Sequence, residues 1–141
     1  DTRTKLRMQG YDRAMTEAGL EPKHVLTGDH SSFSLAHDLL ERALETHPTL
    51  DGVFCTNDDI AIGTMLSAQQ RGIQVPQQLA VVGYNALDIG QTISPKLTSV
   101  DTPRFKIGEK SAELLIARLK GEAQEEKVVD MGYQITSGES V

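Results

Sequence analysis

The chain has 141 residues, of which 38% are hydrophobic, and it carries a formal net charge of −6 with an isoelectric point near 5.1. A chain of this length is expected to form one compact domain. The acidic charge disfavours nucleic-acid contact by this segment, because phosphate binding needs clustered Lys and Arg. A single cysteine, Cys55, excludes a disulfide framework and a cysteine-based zinc site. No apolar stretch reaches the ~18 residues of a membrane span and no signal peptide opens the chain, so we expect a soluble protein.

Apolar periodicity predicts helices and strands in alternation. In chain order, the predicted elements are a helix from Leu6 to Ala18, a strand at HVLTG, a helix around Ala36 to Leu44, a strand at GVFCTN, a helix from Asp59 to Arg71, strands at LAVVGYN and LTSVD, a helix from Pro103 to Lys120, and one or two strands between Lys127 and Val141, bent at Gly132.

This alternation predicts an α/β fold, in which a parallel sheet with right-handed crossovers carries helices on both faces. Strands buried on both sides would explain the unbroken apolar runs. Folds of this kind usually open with a strand, whereas this chain opens with a helix, so we expect the segment to begin inside a longer protein.

Polar side chains follow several of the predicted strands. Ligands of open α/β sheets bind at the carboxyl ends of the strands, so these side chains are expected to share one rim. Asn both donates and accepts hydrogen bonds, and carboxylates accept them from hydroxyls, which suits a small polyhydroxylated ligand. The residues concerned are Asp29, His30, Asn57, Asp58, Asn85 and Asp101.

Local structure offers an alternative role for several of these residues. Asp58 or Asp59 would serve as a cap for the helix that follows, and turn formation would account for Asn57 and Asn85. His30 is more often a surface histidine than a ligand.

Arg7 falls in the first turn of the predicted helix, where a cation meets the helix dipole unfavourably. A compensating role would be to clamp a ligand carboxylate or a pair of hydroxyls from the crevice. The alternative is that Arg3, Lys5 and Arg7 form one solvated basic face.

Enzyme motifs are mostly absent: the sequence has no G-x-G-x-x-G, G-x-x-x-x-G-K-[ST], G-x-S-x-G or H-E-x-x-H. Cys55 has no adjacent base, which disfavours it as a nucleophile. Asp58 and Asp59 would suit a hydrolase or a receiver-like phospho-acceptor only with a further acidic group and a lysine at other strand ends. The sequence therefore predicts neither catalysis nor a cofactor nor a metal site.

The segments LRMQGYDRAM, TGDHSS, GVFCTNDDIAIGTM, RGIQVPQQLAVVGYN, PKLTSVDTP and GEKSAELLIARLKG together resemble the effector-binding domain of the LacI/GalR family of bacterial transcription repressors, and more narrowly the gluconate operon repressors. The resemblance implies a periplasmic-binding-protein-like (type I) lobe, here truncated. Residues 1–101 would be the second lobe without its first strand, residues 102–121 a crossover helix belonging to the first lobe, and residues 122–141 the returning C-terminal strands. The helix-turn-helix and the first lobe would precede Asp1.

The resemblance also assigns effector-binding residues. The arginine of the family's Arg-x-x-Gly motif falls on Arg7, and the asparagine of its Asn-Asp motif on Asn57. His30 stands where the family has a stacking aromatic, with Phe33 as a substitute. Asn85 replaces the family's aspartate, and the loss of that charge beside Arg7 suits an anion such as gluconate. With the strand-end residue Asp101, the predicted effector site comprises Arg7, His30, Phe33, Asn57, Asn85 and Asp101.

The function implied is effector sensing by a cytoplasmic homodimer that contacts operator DNA only through the N-terminal domain, without enzymatic turnover or membrane contact. The crossover helix would pack on the first lobe. Within this segment we expect its face of Leu115, Ile116 and Leu119 to pack on its own lobe or on a second chain. The alternative is a periplasmic sugar-binding protein of a transport system, which shares the fold and a similar rim.

Overall fold

A computed structural model describes residues 2–122 and 128–141. Its helices and strands, in chain order, are α1 (Thr2–Glu17), α2 (Phe33–Thr46), β1 (Gly52–Phe54), α3 (Asp58–Gln70), β2 (Ala80–Tyr84), a short 3₁₀ helix (Asp88–Gln91), β3 (Thr98–Asp101), α4 (Arg104–Leu119) and β4 (Gln134–Thr136).

The four strands form one sheet in the order β1-β2-β3-β4. The first three are parallel, with Phe54 opposite Val82 and Tyr84 opposite Val100. The last strand, β4, runs antiparallel beside β3. The parallel α/β class predicted from the sequence is therefore confirmed, with one antiparallel strand added at the edge.

Helices α2 and α3 pack against each other on one face of the sheet. Each begins with a side-chain cap: Ser32 accepts from the N–H of Leu35, and Asn57 accepts from the N–H of Ile60. A Cβ on Gly63 would stand 2.5 Å from the carbonyl oxygen of Phe33, so this glycine is what allows the two helices to approach closely.

The core lies between these helices and the sheet. In β2 the buried Val81 and Gly83 alternate with the half-buried Val82 and Tyr84. Gly83 faces α3, because a Cβ there would meet Ala61, whereas Arg7 of α1 lies over the ring of Tyr84. Helix α1 therefore lies on the face opposite α3. The buried apolar cluster consists of Leu40, Cys55, Ala61, Ile62, Met65, Ala68, Leu79, Val81 and Leu97.

The two faces differ from the prediction that strands are buried on both sides. On the α1 face, Val82 and Tyr84 remain partly exposed, and neither α1 nor α4 contains a buried residue. Within the described residues, only the α2–α3 face of β2 is fully covered.

Three predicted elements need correction. The HVLTG segment forms no strand, because β1, at the edge of the described sheet, pairs only with β2. Helix α1 begins at Thr2, four residues earlier than predicted, so Arg7 is not in its first turn. The described tail contains one strand, β4, preceded by a positive φ of 69° at Gly132; Lys127 and the rest of 123–127 lie outside the described residues.

The apolar face of helix α4 is left largely exposed by the residues that the structure describes. Leu115, Ile116 and Leu119 are exposed by 59%, 51% and 79% of their surface. Among the described residues this face does not pack on its own lobe, and its packing on a second chain stays a prediction. In the described part of the chain, no helix combines the length and apolarity needed to cross a membrane.

Candidate functional site

Arg7 lies where β1 and β2 end. Its Nη1 donates to the carbonyl oxygen of Thr56 at 2.8 Å, and its Cζ lies 3.8 Å from the centroid of the Tyr84 ring. The guanidinium is thus held by a hydrogen bond and by a cation–π contact at the carboxyl ends of two neighbouring strands. Because Arg7 is partly buried while Arg3 and Lys5 are exposed, the three do not form one solvated basic face.

Asn57 has two partners at the start of α3. Its Oδ1 accepts from the N–H of Ile60 at 3.0 Å, and its Nδ2 donates to the hydroxyl of Ser31 at 2.6 Å. The first bond is a helix cap, the local role weighed for this region from the sequence, and it falls on Asn57 rather than on Asp58 or Asp59. The second draws the 29–32 turn, including the exposed His30, toward the rim. Phe33, 45% exposed, opens α2 two residues further on.

Asp58 lies beneath the rim and not on it. Its side chain has 0% exposure and accepts from the hydroxyl of Ser99 at 2.7 Å and from the N–H of Leu87 at 2.6 Å. A Cβ on Gly83 would stand 2.2 Å from its Oδ1, so the carboxylate needs a glycine beside it. The prediction that Asp58 shares the rim is wrong, and its burial also removes it as a phospho-acceptor.

Asn85 directly follows β2 in a left-handed conformation, with φ of 112°. Its backbone N–H donates to the carbonyl oxygen of Val100 at 2.9 Å, which places it beside the end of β3. Asp101, the last residue of β3, follows Val100 and is partly exposed. Asn is several-fold enriched among non-glycine residues at positive φ, so the backbone alone gives a reason for Asn at this position.

Three of the six predicted residues thus stand at adjacent strand ends, with Arg7 against β1 and β2, Asn85 after β2 and Asp101 after β3. Near the end of β1, Asn57 contacts the turn that contains His30 through its hydrogen bond to Ser31. Phe33 follows this turn as the first residue of α2.

Sequence reasoning missed two side chains near this rim. Tyr84 was read only as the end of an apolar strand, although it provides the ring under Arg7. Arg104, at the start of α4, donates to the carbonyl oxygen of Ala86 at 3.4 Å and adds a second cation nearby. The sequence signal for Arg104 was its position directly after Pro103, shortly beyond the end of a predicted strand.

Two further candidates among the described residues, Cys55 and a side-chain cluster on α2, are shielded or already paired. Burial raises the pKa of the Cys55 thiol to about 12, which keeps the sulfur protonated and unreactive at neutral pH. His37, Asp38 and Glu41 have ligand atoms within 4.8 Å of one another on α2. However, Glu41 is paired with Arg71, and Nδ1 of His37 lies 2.8 Å from the hydroxyl of Ser67. An ion there would compete with a cation already in place.

A parallel sheet that presents an arginine and neutral amides at its strand ends is typical of a ligand-binding α/β domain. The periplasmic binding protein-like domain matches residues 1–141. The HTH-type transcriptional regulators GntR and IdnR of Escherichia coli K12 are each 43% identical over 141 residues, which cover all of this chain and 43% and 42% of theirs.

Solved structures of transcriptional regulators share this fold. The transcription regulator GntR from Chromobacterium violaceum superposes with a TM-score of 0.95 at 37% identity, over 99% of this chain and 52% of that one. A LacI-family regulator from Silicibacter pomeroyi gives 0.89 at 29% identity, over 99% and 43%. The chain belongs to the family of periplasmic binding protein-like domains, and it is similar to transcriptional regulators that include a LacI-family protein. It spans about 43% of the length of the E. coli GntR relative.

Proposed function

We propose that this chain is the effector-sensing lobe of a LacI/GalR-type repressor and that its effector is a sugar acid, with gluconate as the first candidate. The observation that carries the proposal is the position of Arg7, held against Thr56 and Tyr84 at the rim. A guanidinium fixed at one end of a crevice recognises a carboxylate through two parallel hydrogen bonds.

The neighbours of Arg7 favour an anion over a neutral sugar. Asn85 brings no charge to the end of β2, and Arg104 adds a cation near Ala86. The hydroxyls of the ligand would find donors and acceptors on the side chain of Asn85 and an acceptor on Asp101. Phe33 and His30 would close the ligand from the α2 side.

The organisation of the longer protein is part of the proposal. Residues 1–101 form the second lobe without its first strand, residues 102–121 cross to a first lobe, and residues 122–141 return. Operator DNA is bound by a helix-turn-helix outside these residues, which agrees with the net charge of −6 in this segment. The protein acts as a cytoplasmic homodimer, in which effector and DNA favour different lobe arrangements coupled by ~1–3 kcal/mol.

The test is calorimetric titration of the full-length repressor with D-gluconate, and with glucose as the neutral control. We expect gluconate to bind more tightly than glucose, and Arg7→Ala to weaken gluconate about ten- to a hundredfold, because hydrogen bonds to charged groups contribute about 1.5–3 kcal/mol. Arg13→Ala is the matched control, since Arg13 lies on the same helix with its side chain 79% exposed.

Equal affinity for gluconate and glucose would contradict the sugar-acid assignment. Gluconate binding that survives Arg7→Ala unchanged would remove Arg7 from the site. If neither sugar binds, the family assignment stands, and the effector lies among other sugars, sugar phosphates or nucleobases.

A further inference from the structure

The loop after β2 holds two consecutive non-glycine residues at positive φ. Asn85 has a φ of 112° and Ala86 a φ of 49°, and no other non-glycine residue among 2–122 and 128–141 has a positive φ. For alanine this conformation has a steric cost, because Cβ comes too close to the carbonyl oxygen that follows. Such residues persist only where the surrounding structure fixes them, and they are concentrated at active sites and ligand clamps.

Three successive backbone N–H groups of this loop donate hydrogen bonds to the interior. The N–H of Asn85 donates to a backbone carbonyl oxygen of β3 at 2.9 Å. The N–H of Ala86 donates to the hydroxyl of Ser99 at 3.0 Å. The N–H of Leu87 donates to Oδ2 of Asp58 at 2.6 Å. The backbone of the loop is therefore fixed from below the rim, at all three of its donors.

Ser99 and Asp58 join two of these contacts into one ring of hydrogen bonds. The Ser99 hydroxyl accepts from Ala86 and donates to Oδ1 of Asp58 at 2.7 Å. The other carboxylate oxygen of Asp58 accepts from Leu87, the next residue along the chain. Because Ser99 is 1% exposed and Asp58 0%, water does not compete for these bonds. We call the side chains of Ser99 and Asp58, with the N–H groups of Ala86 and Leu87, the loop anchor.

The side chain of Asn85 differs from its backbone in having no such partner. It is partly exposed and follows Tyr84, whose ring lies against Arg7. Within the described residues no hydrogen bond engages its amide. An amide has both donors and an acceptor, so an amide held in one direction recognises a ligand hydroxyl in a defined orientation. The loop thus uses its backbone donors for its own conformation and leaves the Asn85 amide for a ligand.

We propose that Ser99 and Asp58 are positioning residues of the effector site. Through the loop anchor they hold Asn85 and Ala86 at positive φ, which fixes the direction of the Asn85 amide before the ligand arrives. Both side chains are buried below the rim, so they act through the loop and not by touching the ligand. A binding group that is already held in its bound geometry raises affinity, because less conformational entropy is lost on binding. The inference rests on the effector site proposed above, but not on which sugar or sugar acid fills it.

The test compares two buried hydroxyls, one residue apart on β3, in the full-length repressor. Ser99→Ala removes the hydroxyl that holds Ala86. Thr98→Val is the matched control, because it removes a hydroxyl that accepts from the N–H of Gly138 at 3.0 Å, at the start of the strand. Both variants lose a buried hydrogen bond, so both should lose stability. Only Ser99→Ala should weaken the binding of D-gluconate in calorimetric titration, by about tenfold.

Asp58→Asn is the second variant, and it keeps the test valid if Ser99→Ala does not fold. It preserves the shape of the side chain but turns one accepting oxygen into a donor, so the ring loses a bond. We expect it to weaken gluconate as well. Restoring the loop by another route should recover affinity: Ala86→Gly in the Ser99→Ala background should regain part of the loss, because glycine adopts positive φ without steric cost. Lowered stability alone would give no such recovery.

A further measurement needs no ligand. Hydrogen exchange followed by mass spectrometry reports the protection of the Ala86 and Leu87 amides, which should fall by about tenfold or more in Ser99→Ala and stay unchanged in Thr98→Val. This measurement separates the two proposals. Lost protection in Ser99→Ala, with no gluconate binding by the unmodified repressor, would support the loop anchor and contradict only the sugar-acid assignment.

Two results would overturn the positioning role. Equal losses of affinity in Ser99→Ala and Thr98→Val would mean that lowered stability explains the effect. Unchanged exchange at Ala86 and Leu87 in Ser99→Ala would mean that the hydroxyl does not hold the loop.

Discussion

The two faces of the sheet are built differently. On the face of α2 and α3, Val81 and Gly83 are buried, and a Cβ added at Gly83 or Gly63 would stand 2.2 or 2.5 Å from an oxygen atom. On the other face, α1 buries no residue of its own and leaves Val82 half-exposed. The first face is buried by packed helices, whereas the second face is only partly covered in the described residues. A continuous apolar run in the sequence therefore does not by itself establish that both faces of a strand are buried in the described residues.

The largest predicted difference in the free energy of unfolding is between substitutions on the covered face of the sheet and on the exposed helix α4. Leu40→Ala should lower the free energy of unfolding by about 2–5 kcal/mol, since Leu40 is 2% exposed and its loss leaves a cavity. Leu119→Ala, at a position 79% exposed, should change it by less than about 0.5 kcal/mol. Urea unfolding of the two variants measures both values. Similar losses would mean that α4 is covered in solution and that the comparison is mistaken.

The second prediction concerns the buried carboxylate. Asp58→Ala should cost about 2–4 kcal/mol, because it leaves the Ser99 hydroxyl and the Leu87 N–H without their acceptor in the interior. Asp59→Ala is the matched control, since the neighbouring side chain is only partly buried and should lose no more than about 1 kcal/mol from the helix dipole. The same urea titration applies. Equal costs for the two aspartates would show that the network contributes nothing beyond local helix electrostatics.

The third prediction uses pH to examine the covered face. Above pH 9.0, the ordinary pKa of a thiol, Cys55 ionises in the unfolded chain, while burial keeps it protonated in the folded chain up to about 12. The unfolded state then binds fewer protons, so stability should fall as pH rises through this window, by up to about 1.4 kcal/mol per pH unit.

Cys55→Ala should remove that contribution and so flatten the slope between pH 9.0 and about 12, while other groups titrate as before. Urea midpoints below and within the window measure the difference between the two proteins. Identical slopes would indicate that the thiol is accessible to water in the folded state.

The smallest effect is expected at the rim, where capping and ligand binding meet. Asn57→Ala should destabilise the protein by about 1 kcal/mol through loss of the α3 cap. Asn57→Asp keeps the accepting oxygen and should preserve stability, but it removes the donor to Ser31 and adds a charge to the rim. Thermal unfolding of both variants tests the cap. A loss in Asn57→Asp as large as in Asn57→Ala would mean that the Ser31 contact matters more than the cap.

Most of the architecture was predictable from the sequence because helices and strands of the covered face carry strong periodic signals. The strands that begin at Gly52, Ala80 and Thr98 lie within the predicted runs. The HVLTG strand failed because a strand is completed by its partner, and β propensity contains no information about whether that partner is present.

The residue types of the candidate site were predictable from the sequence, but the burial of each side chain was not. Consecutive residues of one motif, Asn57 and Asp58, take different positions, one at the rim and one fully buried. The burial of Asp58 depends on Gly83, the Ser99 hydroxyl and the Leu87 N–H, which are all distant from it in sequence. The ring under Arg7 was equally hidden, because Tyr84 is an unremarkable residue in an apolar strand.

Asp58 joins the start of α3 to the loop after β2 and to the middle of β3 through one carboxylate. Three neighbouring segments are thereby braced against one another just below the crevice. We expect this bracing to oppose local deformation of the three segments. Under the two-lobe organisation proposed above, closure over a small molecule would then come from a hinge bend between the lobes.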